Sequence, residues 1–177
     1  MAHTDNAAAR FVDSHLDAGR ADKPAFREVD GEQRTLTYGA LAHGSGRAAA
    51  AMQAAGLRRE ERAAMLLLDT NDYPQLFWGA LKAGVVAVPL NTLLSASIYD
   101  VILSDSRASA LFVSAALYDK VAPVLGDNPW LRTIVVVGGA APAGTISYDD
   151  FMAGAETAEN ADVSPYDGAF WLYSSGS

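Results

Sequence analysis

No cysteine occurs anywhere in the 177 residues, which removes disulfides, thiolate nucleophiles and cysteine-based metal sites together. That absence fits a reducing cytoplasm. Basic residues are scarce, with 13 Lys and Arg against 21 Asp and Glu. The resulting formal charge of −8 argues against a nucleic-acid partner, which needs a basic face. A single bound nucleotide stays compatible, because backbone N–H groups and helix termini act locally. No apolar run approaches the ~20 residues that cross a bilayer, so no membrane partner is expected. The amino-terminal stretch through Gly19 carries Asp5, Asp13 and Asp17 and lacks the apolar centre of a signal peptide. Histidine is rare as well. His3, His15 and His43 stand at no spacing with carboxylates that suggests a metal site or a triad, so no metal ligand and no catalytic residue is assigned.

What remains is the composition of a soluble α/β domain: half of the residues are hydrophobic and 19% are charged. The length suits one domain with a real core. Residues 5–18 read as a helix with Phe11, Val12, His15 and Leu16 on one face, stopped by Gly19. Ala25–Val29 and Arg34–Thr37 flank Asp30-Gly31, a hairpin signal. Thr37 caps a helix from Tyr38 to Ala55, with Leu41, Ala48, Met52 and Ala55 inward and Gly56 ending it. Arg58 to Arg62 make a charged turn, and Ala63–Leu68 is a strand buried on both faces.

The alternation continues. Asn71 or Asp72 opens a helix with Pro74 in its first turn, Leu76, Phe77, Ala80 and Leu81 inward, and Gly84 at its end. Val85–Val88 is a strand, stopped by Pro89. Ser95 caps a helix holding Ile98, Val101 and Ile102, and Ala110–Val113 is a strand. Leu117, Val121 and Val124 mark a helix ending near Gly126. Thr133–Val137 is a strand of β-branched residues throughout, and Gly138–Gly144 is a loop. Ser147-x-x-Asp150 forms a capping box for a short helix through Ala153. A polar stretch from Glu156 to Pro165 leads to the apolar run Phe170-Trp171-Leu172-Tyr173, read as a buried strand. It opens into the small polar tail Ser174-Ser175-Gly176-Ser177, whose N–H and hydroxyl donors suit a phosphate. Strands and helices alternating at this density predict a three-layer α/β sandwich with a mostly parallel sheet and an N-terminal β-hairpin.

Other signals are weaker. Val137-Gly138-Gly139 follows a strong strand but misses the dinucleotide-binding glycine spacing, and Pro142 interrupts the place where a helix would open. Ser104-Asp105-Ser106-Arg107 sits where a helix ends, and Asp149-Asp150 is explained by helix N-terminal charge. Trp78, Trp130 and Trp171 read as packing residues, and Lys82 as a surface residue, as lysines usually are.

Three segments in this order resemble the adenylate-forming (AMP-binding) superfamily of acyl- and aryl-CoA ligases. Leu36-Thr37-Tyr38-Gly39-Ala40-Leu41 is similar to the family's Leu-Thr-Tyr-x-Glu-Leu. Leu81-Lys82-Ala83-Gly84, followed by Val85 to Val88 and Pro89-Leu90-Asn91, is similar to Leu-Lys-Ala-Gly-x-x-x-x-Pro-Leu-Asn. Tyr173-Ser174-Ser175-Gly176-Ser177 resembles the opening of the phosphate-binding loop, which in the family continues with Thr-Gly, a spacer and Lys-Gly. Phe77-Trp78-Gly79-Ala80-Leu81, Leu90-Asn91-Thr92-Leu93-Leu94 and Phe170-Trp171-Leu172-Tyr173 look most like benzoate-CoA ligases. One departure is Ala40, where the family has Glu; the lost capping box costs the helix roughly 0.5–1 kcal/mol.

The resemblance implies the N-terminal portion of the large domain of an AMP-forming acid–CoA ligase for benzoate or a related aromatic acid. ATP, Mg²⁺ and coenzyme A would serve the complete enzyme, with Ser174, Ser175, Gly176 and Ser177 around the ATP phosphates. It also implies three parts: helix and hairpin over 1–37, the α/β core over 38–165, and a strand with half a phosphate loop over 166–177. The chain by itself is expected to be inactive, to bind no cofactor tightly and, through its apolar last strand, to self-associate. A stand-alone nucleotide- or partner-binding module, or an unrelated flavodoxin-like regulatory domain, would read similarly without the motifs.

Overall fold

In the computed structural model, residues 5–30 and 32–174 are described. A two-stranded antiparallel hairpin, β1 (Pro24–Arg27) and β2 (Thr35–Thr37), precedes a five-stranded parallel sheet. That sheet comprises β3 (Arg62–Leu66), β4 (Val86–Pro89), β5 (Ala110–Ser114), β6 (Thr133–Val137) and β7 (Ile146–Ser147), in the spatial order β4-β3-β5-β6-β7. Its helices are α1 (Ser14–Asp17), α2 (Tyr38–Ala54), α3 (Asp72–Lys82), α4 (Ala96–Ser106), α5 (Tyr118–Val121) and α6 (Tyr148–Met152). None among the described residues is long and apolar enough to cross a membrane.

Strand periodicity divides the core in two. Ala63, Met65, Ala87, Ala110, Phe112, Val135 and Val137 face a layer holding α2, α3 and α6. Ala64, Leu66, Val88, Leu111, Val113 and Val136 face α4 and the 115–124 segment. The three-layer sandwich with its hairpin is therefore observed. Two glycines let α2 and α3 touch: a Cβ on Gly79 would lie 2.6 Å from the Ala48 Cβ, and one on Gly44 would overlap the Gln75 side chain.

Several expectations need correction. The first helix contains a π-helical turn over Ala9–Asp13, and only Val12 of the four proposed face residues is buried; Phe11 is 57% exposed. Ala8 and Val12, four residues apart, form the inward stripe instead. In α4 the inward residues are Tyr99, Ile102, Leu103 and Ser106, while Ile98 and Val101 face outward. Ser95 precedes α4, but its hydroxyl meets that of Ser97 and caps nothing. The helix expected after Leu117 is broken: α5 lies between 3-10 turns over Ala115–Leu117 and Ala122–Val124, because Pro123 has no N–H to continue the ladder. The edge strand β7, two residues long, was not expected.

The two remaining corrections concern Lys82 and the last strand. Lys82 is buried, its ammonium 2.7 Å from both Asp13 oxygens and 3.3 Å from Asn160 Oδ1. The run Phe170–Tyr173 is not a buried strand. It touches β4 at one parallel bridge, Ala87 to Phe170, and Leu172 is 70% exposed. Phe170 packs against Phe77 with the two rings tilted, Trp171 lies beneath Arg62, and the Tyr173 hydroxyl donates to Asp105 at 2.6 Å. Apolar side chains at a free sheet edge stay exposed unless another layer covers them.

Candidate functional site

In a parallel sheet, connections leaving adjacent strands toward opposite faces open a crevice at the carboxyl ends. Here that place lies between β3, followed by α3 on one face, and β5, followed by Leu117 and Val121 on the other. The loop after β3, Leu67 to Asn71, crosses this edge and is tied to β5 by the Leu68 N–H donating to the Ser114 hydroxyl at 2.9 Å.

The hairpin reaches over to the same loop. Glu28, just past β1, accepts from Arg34 Nη2 at 2.8 Å and Nε at 3.0 Å, and from the Asn71 N–H at 2.8 Å. Its carboxyl is held down to about 2, first by the Arg34 hydrogen bonds and next by the Asn71 N–H. Glu28 thus places a negative charge at the start of α3, where the helix dipole favours it. Asp72 behaves oppositely: burial pushes its carboxyl up, against the attraction of Arg34. Burial likewise pushes up the phenols of Tyr73 and Tyr148.

Three clefts surround this arrangement. One of about 480 Å³ lies between Phe26–Glu28, the Asp69–Asn71 loop and one face of α3. A second, of about 670 Å³, continues along the hairpin between Arg27, Asp30, Glu32 and Arg34 and the Leu68–Thr70 segment. A third, of about 460 Å³, joins Arg34 and Asp72 to Gly138, Gly139, Tyr148 and Asp149 beyond β6. Acidic side chains outnumber arginines in the second and third, which suits a triphosphate poorly. Among the described residues no three His, Cys, Asp or Glu side chains gather as a metal site.

Of the residues assigned to phosphate from sequence, Ser174 is exposed and lines none of these clefts. Ser175, Gly176 and Ser177 lie outside the described residues. The segment that leads to them is anchored by Ala87 N–H to Ala169 O at 3.3 Å, Trp171 N–H to Ala87 O at 2.9 Å, and the Arg59–Asp167 ion pair. Sequence reasoning passed over Glu28, Arg34 and the Asp69–Asn71 loop. The polar run Asp69-Thr70-Asn71-Asp72 directly after a doubly buried strand was the available signal, since that position in a parallel sheet is a carboxyl-end loop.

Known proteins resemble the chain over this whole architecture. The family described as AMP-binding enzyme matches residues 14–177. The chain is 42% identical over 176 residues to the 4-hydroxybenzoate–CoA/benzoate–CoA ligase of Rhodopseudomonas palustris, covering 97% of this chain and 31% of that protein. It is 40% identical to the benzoate–CoA ligase of Thauera aromatica, with 97% and 32% covered. Among solved structures, the anthranilate CoA ligase AuaEII in complex with anthranoyl-AMP superposes with a TM-score of 0.90 at 29% identity, over 99% of this chain and 33% of that one. A benzoate CoA ligase from Burkholderia xenovorans LB400 gives 0.76 at 34% identity, over 90% and 31%. The chain thus spans about a third of the length of the relatives it matches.

Proposed function

Because the chain belongs to the AMP-binding enzyme family, we propose that it supplies the N-terminal portion of an AMP-forming acid–CoA ligase acting on benzoate or a related aromatic acid. The observation that carries this reading is the likeness to aryl-CoA ligases along almost the entire chain. The reaction has two steps. A carboxylate oxygen attacks the α-phosphorus of ATP and expels pyrophosphate, giving an acyl-adenylate. The thiol of coenzyme A then attacks the acyl carbon, loses its proton and displaces AMP.

The part this chain would play is phosphate binding by Ser174, Ser175, Gly176 and Ser177. Their N–H and hydroxyl groups donate to phosphate oxygens, and glycine lets the backbone approach closely. The parallel bridge from Ala87 to Phe170 supports this, because it starts the approach to the loop in the direction of the sheet. Among the described residues no three His, Cys, Asp or Glu side chains gather, so Mg²⁺ would be held chiefly by the ATP phosphates. Charge on the phosphates would be met at this tail by N–H and hydroxyl donors, and two of the lysines are already engaged elsewhere, Lys82 by Asp13 and Lys120 by the Thr92 carbonyl. The isolated chain is therefore inactive in adenylation, and its natural division is 1–37, 38–165 and 166–177.

Two measurements test the reading. ATP–pyrophosphate exchange by the purified chain with benzoate should stay at background, and exchange above it would overturn the claimed inactivity. Reading the coding sequence past codon 177 should show Thr-Gly-x-Pro-Lys-Gly in frame. A stop codon there would replace the ligase reading with a stand-alone binding module.

A further inference from the structure

The cleft of about 480 Å³ beside the hairpin is not used by the reading above, and its chemistry is distinctive. Its long wall is one face of the first two turns of α3, with Tyr73, Pro74, Phe77 and Trp78. Phe26 of β1 stands opposite, and the Asp69–Asn71 loop closes one end. Phe77 and Trp78 meet edge to face at 5.4 Å, and Phe11 backs Trp78 at 6.3 Å, so the aromatic wall is braced from behind.

The polar group that matters is the Asn71 side chain. An asparagine before a helix ordinarily spends its side chain on capping. Here the Asn71 backbone is already helical, φ −61 and ψ −17, and its side chain caps nothing. The demand for a cap is small: the Tyr73 N–H donates to the Thr70 carbonyl, and Pro74 has no N–H. Glu28 supplies the negative charge at this helix start instead. The Asn71 amide is left with no hydrogen-bond partner on its side chain, although the residue is only 8% exposed and lines the cleft. The amide atoms are not sealed in the interior but stay reachable at the cleft, where a ligand that offers both an acceptor and a donor can pair with them.

Charge narrows the ligand further. Around the cleft Arg27 offsets Asp69, and Arg34 neutralises Glu28, so no net charge invites an ion. We propose that this cleft is a second binding site, for a neutral planar aromatic molecule whose ring lies against Trp78, Tyr73 and Phe26 and whose carboxamide-like edge pairs with the Asn71 side chain. An amide facing an amide satisfies one donor and one acceptor on each side, whereas a carboxylate would leave the Asn71 oxygen without a donor. The volume lies within the range of small-molecule sites, and the balance of aromatic walls with one convergent polar group is their usual composition.

The test is a titration of the chain with benzamide, followed in ¹H–¹⁵N spectra. Benzamide should saturate on the order of a millimolar, as befits so small a probe, and should move the Trp78 indole and Asn71 side-chain signals. Benzoate should bind at least fivefold more weakly, as should cyclohexanecarboxamide, which keeps the amide and loses the flat ring. Asn71→Leu should weaken benzamide at least tenfold. Phe26→Ala, at an exposed hairpin position, should weaken it severalfold and serves as the decisive variant if Asn71→Leu does not fold. Non-saturating shifts, shifts confined to other parts of the chain, benzoate binding as tightly as benzamide, or full affinity in the variants would each overturn the proposal. None of these readouts depends on adenylation, so failure here leaves the ligase reading standing.

Discussion

The Lys82 ammonium at the end of α3 lies 2.7 Å from each carboxylate oxygen of Asp13, sixty-nine positions earlier in the chain. Asn160 joins them, donating to Asp13 Oδ2 at 2.7 Å, so one charge pair binds the N-terminal helix, α3 and the late polar stretch. The Asn6 side chain reinforces that junction by donating to the Leu81 and Ala161 carbonyls at 2.9 and 3.3 Å. A stretch of chain with little apolar surface is thus anchored by polar groups that are themselves satisfied.

Asp13→Ala should destabilise the chain by about 2–4 kcal/mol, because it leaves a buried ammonium unpaired. The Lys82 side chain is 6% exposed, whereas Asp13 is 29% exposed and can rehydrate. Lys82→Met should therefore cost clearly less than Asp13→Ala. Urea denaturation of the two variants checks the order, and equal losses would contradict it.

Gly79→Ala should cost about 1–3 kcal/mol through overpacking. The added methyl would sit 2.6 Å from the Ala48 Cβ and 3.0 Å from the Ser45 carbonyl oxygen, both on α2, whose backbone cannot give cheaply. A thermal melt would show the loss, and an unchanged midpoint would mean the two helices part freely.

The Glu28 carboxyl lies at about 2 in the fold against an ordinary 4.5. A depressed acid contributes stability that is complete above its unfolded value and disappears as pH falls toward the folded one. Stability should thus drop between pH 4.5 and about 2, and Glu28→Gln should flatten that limb. Asp72, pushed up by burial, has the opposite sign: its ionisation costs stability as pH rises above its ordinary 3.8. Denaturant midpoints measured across this range with Glu28→Gln and with Asp72→Asn separate the two contributions.

Ala40→Glu should stabilise the chain by about 0.5–1 kcal/mol. Thr37 already accepts from the Ala40 N–H at 3.2 Å, and the exposed position leaves room for a carboxylate to complete the reciprocal bond and to meet the helix dipole. A midpoint no higher than that of the parent would show that the capping box adds nothing here.

The exposed run Phe170–Tyr173 should make the isolated chain self-associate. Light scattering should report a mass that rises with concentration, and Leu172→Asp should return it toward the monomer. A monomer at every concentration would refute this expectation.

The sequence by itself determined what depends on near neighbours. The order of strands and helices from β1 to β6, the Thr37 and Ser147 caps and the stops at Gly19, Gly56 and Gly84 were legible, and the Ser147 hydroxyl does accept from the Asp150 N–H at 3.0 Å. Each of these is settled within a few residues, by periodicity or by a side chain reaching its own backbone. The motif order likewise pointed to the family, because it is a property of the string. Only the tertiary structure decided which face of α4 turns inward, that Lys82 is buried, and that Phe170–Tyr173 stays open at the edge of β4. It also decided that Glu28, forty-three positions before Asn71, accepts from the Asn71 N–H and supplies the charge at the start of α3. Such pairings join residues far apart in the chain, so neither partner's local sequence carries a signal of the other. Burial and hydrogen-bond satisfaction are set by whatever the fold brings alongside.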